Sequence, residues 1–81
     1  MSEQPFSLDA LGSGHSAVIT SVGGHGEMNA HLRDLGFLEQ GTVTCLFASA
    51  LGDPRAYRVC DTVVALRDDD ARCITCAGGA L

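Results

Sequence analysis

The sequence predicts a small, mainly β domain with one helix, a barrel of five short strands, and three observations carry that prediction. The chain has 81 residues, enough for one hydrophobic core and too few for two. Apolar and β-branched residues alternate in short runs, and Gly, Pro and Asp break those runs at close intervals. Only one stretch, Glu27 to Leu35, carries a helical period.

Taken in order, Ser7-Leu8-Asp9-Ala10-Leu11-Gly12 reads as one helical turn, with Ser7 as cap and Gly12 closing it in a left-handed conformation. His15 to Val22 reads as the first strand, with Val18, Thr20 and Val22 on one face and Ala17, Ile19 and Ser21 on the other. Apolar groups on both faces predict a well-buried strand. Gly23-Gly24-His25-Gly26 ends it. In the helix, Met28, His31, Leu32 and Leu35 form one stripe, and Gly36 is placed to stop it.

Gln40-Gly41 turns into a second strand, Thr42 to Ala48, with Val43, Cys45 and Phe47 expected on one face. Ser49 to Pro54 reads as a loop and Arg55 to Cys60 as a third strand. A tight turn at Asp61-Thr62 leads to a fourth, Val63 to Leu66. Asp68 to Arg72 is a short helical turn, and Cys73 to Ala77 the last strand. The result is one domain over residues 1–81, with 1–6 and 78–81 expected to be flexible ends. An SH3-like barrel and an OB-fold both suit this pattern, with the helix between strands one and two.

Charge narrows the function. Ten acidic residues oppose five Arg, for a net charge of −5. Arg33, Arg55, Arg58, Arg67 and Arg72 are scattered, so nothing resembles the basic cluster that displaces counterions from nucleic acid. No run approaches the length of a membrane-spanning helix, so membrane insertion is not expected. The polar Met1–Pro5 start lacks the basic region of a signal peptide. The expected compartment is the cytoplasm, where Cys45, Cys60, Cys73 and Cys76 stay reduced.

Catalysis finds no support. There is no GxxxxGK[ST] phosphate loop and no nucleophile–base set. Cys73-x-x-Cys76 has the spacing of a soft-metal or redox pair, but residues three apart on a strand face opposite sides. Cys45 and Cys60 read as small core residues. His25 and His31 could approach each other at the helix start. Fe²⁺ or Zn²⁺ are the ions such donors would take, and no cofactor is required. Asp68-Asp69-Asp70 reads foremost as a solvated helix start.

Binding remains. Leu35, Phe37 and Leu38, together with Leu51, Asp53 and Pro54, are the candidate contacts, on the expectation that the Leu35–Leu38 and Ala50–Pro54 segments form one docking edge. Unpaired strand edges also allow self-association into a homo-oligomer.

One ordered series of residues resembles a known family. It runs Leu8/Leu11/Gly14, Ile19, Leu32-Arg33-Asp34-Leu35-Gly36-Phe37, Gly41, Gly52-Asp53-Pro54 and Ala65-Leu66-Arg67. In that order and spacing it is similar to FeoA, the ferrous iron transport protein A family, over Ser7 to Ala77. Gln40 stands where that family often has Pro, Asp61 where it often has Gly, and His31 where it often has Arg. The resemblance implies an SH3-like barrel and a non-enzymatic role in ferrous iron uptake. The implied partner is FeoB, a membrane transporter with a cytoplasmic GTP-binding G domain.

Overall fold

The structure, a computed structural model, describes residues 4–24, 26–48 and 52–78. It contains six strands: β1 (Phe6–Ser7), β2 (Ser16–Val22), β3 (Thr42–Ala48), β4 (Arg55–Val59), β5 (Thr62–Leu66) and β6 (Ile74–Ala77). A 3₁₀ turn lies at Leu8–Ala10, α1 at Glu27–Leu35 and α2 at Asp68–Ala71. All strand pairs are antiparallel, in the order β1-β6-β2-β3-β4-β5.

The sixth strand is a two-residue piece that the alternation rule is too coarse to detect. Phe6 and Ser7 pair with Cys76 and Thr75, so Phe6 is held in the sheet instead of fraying. The 3₁₀ turn ends on extended Leu11, and the left-handed glycine is Gly14 (φ 84°), not Gly12. Ser7 Oγ donates to the Asp9 carboxylate instead of capping a backbone N–H.

Two β-bulges decide which residues enter the core. In β2 the pairing slips between Ile19 and Ser21, so Ala17, Ile19 and Val22 all point inward. Val18, expected to be buried, lies before the bulge and alternates with inward Ala17 and Ile19, so it is 39% exposed. In β3 the slip falls between Cys45 and Phe47, and it turns Phe47 out to solvent while Val43 and Cys45 stay inside.

The α1 stripe is narrower than its sequence suggests. Leu32 is fully buried, with Met28 and Leu35 packed beside it, but His31 is exposed. The helix ends in a Schellman motif: the Phe37 N–H donates to Leu32 O at 3.1 Å and the Gly36 N–H to Arg33 O at 3.0 Å. Gly36 takes φ 113°, and this sharp reversal drives Phe37 into the core against Leu32.

Polar contacts that the hydrophobic pattern does not reveal hold α1 to the sheet. Asn29 donates to Val22 O and Gly23 O, and its own carbonyl accepts from Arg33 Nε. Arg33 then forks onto both oxygens of Glu39 at 2.9 and 2.8 Å.

Candidate functional site

The expected docking edge does not form as one surface. Leu38 precedes β3 and Asp53 and Pro54 follow it, so a strand of about 23 Å separates the two groups. Leu38 is 42% exposed, whereas Phe37 is fully buried and presents no surface to a partner. Leu35 is half-buried against the core. Leu51 and His25 lie outside the described residues.

Asp53 is exposed but already engaged, since its Oδ1 accepts the Asp68 N–H at the start of α2 at 3.0 Å. Arg55 reaches from β4 to the same place, donating to Leu11 O at 2.9 Å with its Nε 3.7 Å from Asp68 Oδ1. Arg72 bridges Asp9 and Asp69. These contacts knit the 3₁₀ turn, β4 and α2 together, a structural task for the acidic triplet. Below them Tyr57 Oη, Arg55 Nε and Asp68 Oδ1 are buried without a hydrogen-bond partner.

The two cysteines of the CxxC sit in different settings. Cys76 points inward from β6 and is fully buried, while Cys73 lies in the turn before that strand, half-buried against the edge of the core. Burial pushes the Cys76 thiol up to about 11, so at neutral pH it carries a proton rather than the charge a metal prefers. Among the described residues, no group of three or more His, Cys, Asp or Glu side chains could hold a metal ion. Cys60 is not a core residue: it occupies the β4–β5 turn with φ 50° and is exposed.

Alternation does not reveal the exposed Phe47, because the β3 bulge turns it outward. On the outer face of β3–β4–β5, Phe47, Ala56 and Ala65 lie side by side in one row, and Thr44, Arg58 and Val63 in the next. Phe47 is 60% exposed and Val63 57%. Next to Arg58, a groove of about 330 Å³ opens between Thr42, Thr44, Cys60 and Asp61. Two exposed apolar side chains around a cation and an open groove make a surface suited to contact.

A small antiparallel β domain of this topology is of the SH3-like class. The FeoA domain model matches residues 6–77, and the chain belongs to the FeoA family. A Porphyromonas gingivalis protein, an Fe(2+) transport protein A/Fe(2+) transporter FeoB fusion, is 38% identical over 64 residues. That match covers 79% of this chain but only 8% of the relative's length. The FeoA protein of Chlorobium tepidum superposes with a TM-score of 0.82 at 28% identity, over 89% of this chain and 69% of the other. Stenotrophomonas maltophilia FeoA, an SH3 domain protein solved with zinc, gives 0.78 at 29% identity over 88% of each chain. A manganese-dependent transcriptional repressor shares the fold at 13% identity, with a TM-score of 0.83 over 96% of this chain and 44% of the other.

No helix among the described residues is long and apolar enough to cross a membrane.

Proposed function

We propose that this chain assists ferrous iron uptake by docking, as a non-catalytic module, on the cytoplasmic G domain of a FeoB-type transporter. One observation carries the reading: in the Porphyromonas gingivalis relative, a homologous segment and the transporter are parts of a single polypeptide. A fusion holds the two at high effective concentration, which favours a contact too weak to persist between separate chains. The outer face of β3–β4–β5 is the contact surface, with Phe47 as its aromatic anchor. An exposed aromatic ring beside an arginine has the composition of an interface hot spot.

The test is titration of this protein into the soluble G domain of its FeoB, with and without a GTP analogue and Fe²⁺. Saturable binding whose affinity depends on nucleotide is the expected result. Absence of binding in every state would overturn docking on the G domain. Stoichiometric retention of Fe²⁺ or Zn²⁺ by the isolated chain would favour a metal carrier using Cys73, Cys76 and the histidines.

A further inference from the structure

We infer that two copies of this chain join through their β5 strands, antiparallel and centred on Val64. The argument begins with the two ends of the sheet. β1 and β5 are its edges, and β1 is only two residues long, too short to template another strand. β5 has five residues and pairs with β4 without any register shift, unlike the bulged β2–β6 and β3–β4 ladders. It carries no Pro, Lys or inward charge, the devices that normally protect an edge. Thr62, Val63 and Ala65 are all exposed.

The hairpin fixes which backbone groups are open. Cys60 and Asp61 form a two-residue turn, both with positive φ, so Val59 and Thr62 make the hydrogen-bonded closing pair. Alternation along the ladder then directs the N–H and C=O of Thr62, Val64 and Leu66 towards β4. Those of Val63 and Ala65 point to the open side.

Charge selects the occupant. Among the described residues, Arg33, Arg55 and Arg72 each have a carboxylate partner, while Arg58 and Arg67 have none. Arg67 is extended and follows β5 directly, and Asp61 precedes it directly. An antiparallel pair centred on Val64 sets Val63 against Ala65 of the other copy and Arg67 against its Asp61. Both hydrogen-bonding residues then face each other, and the two flanking charges are opposite in sign. Shifting the centre to Val63 opposes Asp61 to Ala65, and shifting it to Ala65 opposes Val63 to Arg67. Only the Val64 register satisfies the backbone, the apolar face and the charges together. The strand is self-complementary, which is what a two-fold interface requires.

The test uses the whole chain. Sedimentation equilibrium of the wild type should show a monomer–dimer equilibrium, with Val63 and Ala65 amide exchange slowing as concentration rises. Arg67→Asp and Asp61→Arg each place like charges opposite one another twice, and each alone should weaken the dimer by about tenfold or more. An equimolar mixture of the two variants restores both opposite-charge pairs and should dimerise again, which also shows that each variant folds. A wild type that stays monomeric at millimolar concentration would overturn the proposal. So would variants that dimerise as well alone as when mixed, or protection that leaves Val63 and Ala65 unchanged.

Discussion

Phe37 meets Tyr57 edge to face, with ring centroids 6.5 Å apart and planes at 81°, and both residues are fully buried. Phe37 arrives there from the α1 C-terminus and Tyr57 from the middle of β4, so this pair locks the helix to the sheet. Replacing Phe37 by Ala removes both the apolar burial and the ring contact, at a cost of about 3–5 kcal/mol. A domain of this size has little more than that in total. Phe37→Ala should therefore be largely unfolded by circular dichroism at 25 °C, and a folded variant would refute its place in the core.

The Tyr57 hydroxyl has no partner, and burial pushes its pKa from 10.0 up to about 12. Cys76 is raised by the same cause from 9.0 to about 11. Both groups hold their protons more tightly when folded than unfolded. Their contribution is thus complete below the ordinary values and is lost as pH rises through the folded ones. For Cys76 the loss is roughly 2–3 kcal/mol. Alkaline unfolding should set in between pH 9 and 12. Tyr57→Phe should shift its midpoint upward and leave stability at pH 7 unchanged or raised by up to about 1 kcal/mol. A loss of more than that at pH 7 would mean that the hydroxyl has a partner, such as a buried water.

Glu39 presents the opposite sign. The Arg33 fork holds its carboxyl below the usual glutamate range, so the ion pair contributes above that range and is lost as pH falls through the lowered value. Glu39→Gln should flatten the acid limb of the stability profile relative to wild type. Being an exposed, solvent-screened pair, it should leave stability at neutral pH close to that of the wild type. An unchanged acid limb would place the carboxyl's titration elsewhere.

What the sequence revealed and what it hid divide along a physical line. The Leu35-Gly36-Phe37 signal was legible because a Schellman motif needs a residue free to take positive φ, and Gly36 takes 113°. The faces of β2 and β3 were only half legible. Alternation predicts inward and outward residues correctly up to a bulge and inverts them beyond it, which is why Val22 is inside and Phe47 outside. The exposure of Phe47 is hidden for the same reason, since alternation alone sets it on one face with Val43 and Cys45. Cys60 was misplaced because the turn sits at Cys60-Asp61, one residue earlier than the apolar run suggests.

That turn is a strained local feature with a simple remedy. Cys60 has φ 50° and Asp61 φ 62°, values that aspartate tolerates and cysteine does not favour. Gly at either position has no Cβ to crowd the backbone, and Asn at 60 also accepts this conformation. Cys60→Gly should stabilise the domain by about 0.5–1 kcal/mol, offset in part by the greater freedom of glycine in the unfolded chain. Denaturant melts of Cys60→Gly and Cys60→Asn check this. Destabilisation by both would show that the Cys60 contact with Gly36 O, at 3.4 Å, outweighs the turn strain.

Phe47 separates stability from function. Its side chain is 60% exposed and lies beyond the bulge, so Phe47→Ser should alter the unfolding free energy by no more than about 0.5 kcal/mol. If the outer face of β3–β4–β5 is where the FeoB G domain docks, the same change should weaken that binding by at least about tenfold, because an aromatic anchor at the centre of an interface carries a large share of its energy. Leu38→Ser makes the control, since Leu38 is 42% exposed but stands at the other surface, beside the α1 terminus. Loss of affinity in Phe47→Ser alone places the partner on the sheet, and loss in Leu38→Ser alone moves it to the helix end. Equal affinity for both variants and the wild type would remove either surface from the interaction, and calorimetric titration at fixed salt distinguishes all three results.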